Sequence, residues 1–495
     1  MNGPRAGTPT PPIAFAGAAA DATARLDTRR VDVDAAALAR LEGACADVRT
    51  DPGELAEVSR DWWPLTMTWA LDDQVGALAD VLVRPTSVDE VAAVLRVCDE
   101  ARIPVTPAAG RSGVSGGSIP LHGGAVLDLT ALAGIVDVDD VSLVADVRAG
   151  TFGDLLEDEL RAEHRATLGH WPQSMGLSTV GGWLACRSAG QLSTRYGKIE
   201  DMVVGLDVVL ADGRVIRTGG APRAAVGPDL TQMFVGSEGT LGVITGARLR
   251  LHPAPAVERS AAHGFASFPE GLAACRRILH RGATPAVLRL YDDVESNRHF
   301  GTDGVHVLLV LDEGEPAVVD GGMALVHEEC AGTVHLDPGL VDHWLEHRND
   351  VGALQDLVHA GFVVDTIETA ACWRDLPSLV EAVLSAVRAL DETMVVSVHQ
   401  SHAYGTGACC YFTFAGRPEP DARDAYYRAV FDGAMRVALS HGAALSHHHG
   451  IGLNRGPYVA DALGSGFGVL AALKQALDPH GICNPGKLGL PDPFA

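Results

Sequence analysis

The sequence predicts an α+β protein of two or more domains, and three observations carry that reading. The chain has 495 residues, more than one hydrophobic core ordinarily organises. A β-α-β unit is legible from about residue 80 to 108. A second run of strand and helix signals follows Pro253 and Pro255, which mark a plausible boundary.

The elements follow in order. "VDAAALARLEGACADV" has the 3.6-residue spacing of an amphipathic helix. "DVLVRP" is a short apolar strand. Thr86-Ser87-Val88-Asp89-Glu90 starts a helix, with Ser87 as cap and Glu90 three residues on. "EVAAVLRVCDEA" continues it, and "IPVTPA" is the next strand. A glycine-rich loop, "AGRSGVSGGS", spans 109–118. "AVLDLTAL" and "SLVADVRAG" read as strands, "TFGDLLEDELRAE" as a helix, and "MVVGLDVVLADGRVIRTG" as a strand pair turning at Asp212-Gly213. "GTLGVITGARLRLHP" closes the region. Beyond it, "PAVLRLYD", "VHVLLVLDEG", "MVVSVHQSHA" and "GACCYFTFAG" are strands, while "LPSLVEAVLSAVRAL" and residues 420–440 are helices. A further helix and a turn end the chain.

Composition narrows the function. Hydrophobic residues make up 47% and charged residues 20%, a globular mix, and the formal net charge is −25. That charge disfavours nucleic acid and anionic membrane surfaces as partners. No apolar run reaches the 18 residues of a membrane span. Nine scattered cysteines without a CxxC pair suit reduced thiols in a cytoplasm. Residues 1–25, rich in Ala, Pro, Gly and Thr, read as a disordered tail rather than a secretory signal.

Gly110, Gly113, Gly116 and Gly117 crowd one loop. Glycine lets a backbone approach a ligand closely, and successive N–H groups can nest phosphate oxygens. A glycine-rich turn is often only a turn, and this one fits neither GxGxxG nor GxxxxGK. Its companions are "GHWPQSMGLSTVGGWLACRSAG", "YGKIEDMVVGLDVV" and "GPDLTQMFVGSEGTLGVIT". Together they resemble the FAD-binding domain of vanillyl-alcohol-oxidase-type flavoproteins, the PCMH-type domain, over roughly residues 76–254.

The resemblance implies two α/β subdomains that hold FAD, and an α/β cap domain with an antiparallel sheet. It divides the chain into an N-terminal tail and helices (1–75), the FAD-binding domain (76–254), the cap (255–455) and a C-terminal segment (456–495) returning to the FAD domain. It assigns the dinucleotide to Ala109, Gly110, Arg111, Ser112, Gly113, Val114, Ser115 and Gly116 in the loop. Pro172, Ser178, Thr179, Gly182, Ser188, Glu238, Gly239 and Ile244 complete the set. Some members attach FAD through a histidine of the first loop. This loop has none, so non-covalent FAD is expected, with attachment from the cap left open.

The stretch "LSHHHGIG", 445–452, is the least ordinary in the chain. With "STVGGWLACRSAGQLSTRYGKIEDMVV", "PAVLRLYD" and "GACCYFTF", it is similar to alkyldihydroxyacetonephosphate synthases over roughly 76–490. Those enzymes exchange an acyl group for a fatty alcohol on a ketone phosphate, with flavin N5 as proposed nucleophile, in ether-lipid synthesis. The similarity implies Tyr411 as acid/base, with His447, His448 and His449 lining the site. It places Arg289 on a phosphate or near the flavin, and Arg187 as added positive charge. The implied partner is a small-molecule substrate such as a lipid-like phosphate, and a homodimer is expected.

Plainer readings stand beside these. Three histidines can decorate a surface, Tyr411 can be core, and Arg289 can be structural. A metal reading competes as well. The FAD-dependent 2-hydroxyacid dehydrogenases, D-lactate types included, have a metal site where this chain has His402, Cys409 and His448. Their "GDGN" and "EHG" patterns are missing here, so no metal is expected. The C-terminal "ICNPGKLG" looks more like those dehydrogenases. An FAD-dependent dehydrogenase or oxidase of a 2-hydroxy acid or alcohol therefore remains the alternative.

Overall fold

The computed structural model describes residues 7–495. Three sheets organise the chain. In the first, β1 (Val48–Arg49), β2 (Val81–Val83), β3 (Val105–Ala108) and β4 (Ala125–Asp128) lie in the order β1-β2-β4-β3. The pairs β2/β4 and β4/β3 are parallel. The helix Val88–Ala101 makes the crossover and buries Val91, Val94, Leu95 and Cys98, an i, i+3, i+4, i+7 stripe. Ser87 Oγ caps it by accepting the Glu90 N–H at 3.2 Å. The Glu90 carboxylate turns to the Thr86 N–H at 2.7 Å instead.

In the second sheet, β5 (Ile135–Asp139), β6 (Val144–Arg148), β7 (Val203–Val209), β8 (Val215–Arg217) and β9 (Val243–Arg250) lie in the order β8-β7-β9-β6-β5. All its pairs are antiparallel. The expected Asp-Gly turn joins β7 to β8, with Gly213 at φ +79°.

The third sheet is antiparallel, with seven strands. They are β10 (Val257–Phe265), β11 (Val287–Tyr291), β12 (His306–Gly314), β13 (Val334–Leu336), β14 (Val363–Cys372), β15 (Thr393–Ala403) and β16 (Gly407–Gly416). Their order is β13-β10-β12-β11-β15-β16-β14. The period of two in β16 sorts its side chains. Cys410, Phe412 and Phe414 enter a core with the helices Leu376–Arg388 and Arg423–Ser440, while Tyr411, Thr413 and Ala415 face a cavity. Each buried phenylalanine contributes about 1.5–3 kcal/mol of transfer free energy. That fixes the strand's facing, because a one-residue slip would exchange the two rows.

The C-terminal segment pairs with the first sheet. Val105 N–H donates to Ile482 O, and Asn484 N–H to Val105 O, both at 2.8 Å.

One expectation is corrected. Of the tail expected to be disordered, residues 1–6 lie outside the described residues, and part of 7–25 packs on the protein. Trp62 Nε1 donates to Thr10 O at 2.9 Å, Arg60 Nη1 donates to Ile13 O at 2.6 Å, and Ile13 is buried. Ile13 of "PPIAFAG" is buried in a cluster with Trp62 and Met67, and Phe15 packs on that cluster half-buried, which the low complexity of the segment conceals. Among the described residues, no helix is long and apolar enough to cross a membrane.

Candidate active site

One cavity of about 1010 Å³ runs from the glycine-rich loop to the third sheet. It opens at the carboxyl end of β3, the place where α/β sheets usually receive ligands. Of the residues expected to hold the dinucleotide, 109–115, Pro172, Ser178, Thr179, Gly182, Ser188, Glu238, Gly239 and Ile244 line it. Gly116 does not. It turns at φ +79° against Trp63, whose ring lies 2.8 Å from where a Cβ would be.

The chain's own atoms fit a dinucleotide. A Cβ on Gly110 would lie 2.1 Å from Leu177 O, so only glycine lets the two segments of the cradle meet. Thr179 Oγ1, Gln191 Oε1 and Asn484 Oδ1 are buried, have no partner among the described residues, and belong to residues that line the cavity. Buried polar atoms rarely go unsatisfied, so they are ready for a polar ligand.

The histidine loop closes the far wall. Register places Glu368 of β14 opposite Tyr411 of β16, and Tyr411 opposite His399 of β15. Glu368 is fully buried. Its carboxylate accepts Ser446 Oγ at 2.5 Å, the backbone N–H of His449 at 2.9 Å, and the backbone N–H of His447. Arg455, a buried guanidinium 3.5 Å away, and these donors hold its carboxyl down to about 2. Glu238 accepts the next N–H groups, Ile451 at 2.5 Å and Gly452 at 2.8 Å. Gly450 and Gly452 have φ of +81° and +52°, and a Cβ on Gly452 would strike Ser115 O. The "HHHGIG" turn is thus pinned between two carboxylates and pressed onto the glycine-rich loop.

Inside this frame, Tyr411 Oη lies 3.0 Å from His448 Nε2 and 2.5 Å from His449 Nε2. Its ring stacks on His399 at 5.0 Å. His399 Nδ1 bonds Glu295 at 2.7 Å, so Nε2 is free to accept from Arg289 Nη2 at 2.7 Å. Arg289 Nε also donates to Tyr291 Oη at 2.6 Å. Burial and Arg289 lower His399 to about 4, and burial lowers His449 to about 4. The same burial pushes His448 well below, and the Tyr411 phenol well above, its ordinary value. Tyr411, His399, His448 and His449 are therefore neutral near pH 7.

Arg289, Tyr411, His448 and His449 line the cavity. His447 stands behind the wall, hydrogen-bonded to His448. Arg187 is corrected: it lies outside the cavity, half exposed and paired with Glu200 at 3.3 Å. It caps the helix Val180–Cys186 with φ +55°, which aims its side chain outward. Glu368, Glu295 and His399 were not singled out from the sequence. No spacing motif marks them, because only cross-strand register brings them to Tyr411.

Among the described residues, two groups of potential metal-binding side chains have ligand atoms within 4.8 Å of one another: His402, His447 and His448, and Glu368, Cys409 and His448. In the first, the His447 and His448 Nδ1 atoms share a hydrogen bond of 2.9 Å. In the second, burial and Glu368 push the Cys409 thiol well above its ordinary value.

Fold and site together define a flavoprotein of the PCMH type. The FAD binding domain family matches residues 79–219, and the C-terminal domain of FAD linked oxidases matches 254–488. An uncharacterized FAD-linked oxidoreductase of Escherichia coli (strain K12), YgcU, is 32% identical over 82% of this chain and 88% of its own. The chain belongs to this family of FAD-linked oxidoreductases, and FAD is its cofactor. Alkyldihydroxyacetonephosphate synthase of Trypanosoma brucei brucei is 29% identical over 84% and 73% of the two chains. Glycolate oxidase subunit GlcD of Bacillus subtilis (strain 168) is 27% identical over 86% and 92%. Among solved structures, an alkyldihydroxyacetonephosphate synthase superposes with a TM-score of 0.76 at 24% identity, over 97% and 89%. A p-cresol methylhydroxylase superposes with 0.72 at 16%, over 94% and 99%.

Proposed function

We propose that this flavoenzyme exchanges an acyl group for a fatty alcohol on a ketone phosphate, as an alkyldihydroxyacetonephosphate synthase does. The observation that carries this is the placing of Tyr411. Its hydroxyl is clasped by two imidazoles on the wall of the cavity that begins at the glycine-rich cradle. FAD, when bound, supplies the ring that reacts with the substrate carbon. The chain's own task is then to move protons and to hold an anion. Tyr411 and His448 take a carbon-bound proton and return one to the leaving carboxylate. Arg289 meets the phosphate, since no carboxylate pairs with it among the described residues. The outer cavity is lined by Leu354, Leu357, Phe362 and Met394, an apolar lining suited to a long chain.

The second reading is hydride transfer from a 2-hydroxy acid or alcohol, and the similarity to a glycolate oxidase subunit favours it. There Arg289 holds the carboxylate and a neutral imidazole takes the hydroxyl proton. Anaerobic mixing separates the two. With acylated dihydroxyacetone phosphate and a long-chain alcohol, an ether product without lasting bleaching of the flavin supports exchange. Lasting bleaching by 2-hydroxy acids, with no ether product, rejects it.

A further inference from the structure

Three histidines, two tyrosines and a serine form one unbroken line of hydrogen bonds that leaves the cavity and returns to it. From Tyr411 Oη the line runs to His448 Nε2 at 3.0 Å. It passes from His448 Nδ1 to His447 Nδ1 at 2.9 Å, and from His447 Nε2 to Tyr404 Oη at 3.0 Å. Tyr404 Oη is 3.2 Å from Ser193 Oγ, which is 2.7 Å from His402 Nδ1. Tyr411, His448 and His402 line the cavity, whereas His447, Tyr404 and Ser193 do not.

One set of proton positions satisfies every link. A neutral imidazole has one donor nitrogen and one acceptor nitrogen. If Tyr411 donates to His448 Nε2, then His448 carries its proton on Nδ1. His447 accepts at Nδ1 and carries its own on Nε2. Tyr404 donates to Ser193, Ser193 donates to His402 Nδ1, and His402 carries its proton on Nε2. His447 and His448 therefore hold opposite tautomers, and His402 holds the same one as His447.

We infer that this line is a proton circuit that takes a proton from substrate at Tyr411 and releases one into the same cavity from His402. Its starting point is the Tyr411 role proposed for the exchange. The balance closes. One O–H bond forms on Tyr411 as its old proton moves to His448 Nε2, and each later member gains one proton and passes one on. The His402 Nε2–H bond breaks last, and no member changes charge. An exchange that begins by removing a proton and ends by protonating a leaving group needs this coupling of base to acid.

Nitrogen-15 NMR of histidine-labelled holoenzyme without substrate reads the tautomers directly. The expected result is His448 protonated on Nδ1, with His447 and His402 protonated on Nε2. The Tyr404→Phe and Ser193→Ala variants are expected to lose about 100-fold in kcat, with KM and flavin spectrum unchanged. Ser193→Thr, which keeps a hydroxyl, is expected to recover the rate. The same tautomer on His447 and His448, a stoichiometric metal ion on their nitrogens, or parental kcat in Tyr404→Phe overturns the circuit. A parent enzyme that forms no exchange product yet shows these three tautomers refutes the exchange reading and leaves the circuit standing.

Discussion

The carboxylate of Glu368 accepts the backbone N–H of His449 at 2.9 Å, from a strand about 80 residues earlier in the chain. With the neighbouring bonds to Ser446 and His447, this contact turns three consecutive histidines from a surface loop into a rigid wall. Removing the carboxylate leaves several buried donors without a partner and Arg455 without its counter-charge. Glu368→Ala is expected to cost about 3–5 kcal/mol, read as a lowered denaturant midpoint with unchanged slope.

Acid should undo this wall in two windows. His399 and His449 are lowered to about 4 from 6.5, so the unfolded chain binds their protons first. Stability from keeping them neutral is full above 6.5 and lost as pH falls towards 4. Glu368 is lowered to about 2 from 4.5, so its contribution is full above 4.5 and lost as pH falls towards 2. Thermal melts from pH 7 to 2 are expected to decline through both windows, with Glu368→Gln shallowing the lower one, which Glu295 shares.

Tyr411→Phe and His448→Ala should each abolish turnover in a protein that stays yellow, since neither belongs to the glycine cradle. A loss of about 100-fold or more is expected for a displaced proton-transfer group. Steady-state rates beside flavin absorbance check this, and unchanged rates in both remove these residues from the chemistry.

Gly110→Ala should do the opposite. A Cβ there meets Leu177 O at 2.1 Å, so the cradle must open. The purified variant is expected to be pale and to need added FAD, with the Tyr411 cluster undisturbed.

Much of this was legible in the sequence because it is local. Glycine spacing marks a cradle, and "GACCYFTF" alternates so that Tyr411 must face away from Phe412 and Phe414. The histidine run announces itself. Glu368 does not, because "VVDTIETAAC" carries it without any motif and only the pairing of β14 with β16 brings it to Tyr411. Arg187 misled for the converse reason: its neighbours build the cradle, but a left-handed cap at φ +55° turns it to solvent. The N-terminal stretch was opaque because Ile13 and Phe15 join a cluster with Trp62 and Met67, which lie about 50 residues further along the chain.

The most direct test is the visible spectrum of the purified chain titrated with FAD, taken beside that of Tyr411→Phe. A one-to-one yellow complex whose flavin bands shift when the Tyr411 hydroxyl is removed is the predicted result. A colourless protein that refuses FAD, or a bound flavin indifferent to Tyr411, would contradict the joining of cradle and histidine wall in one cavity.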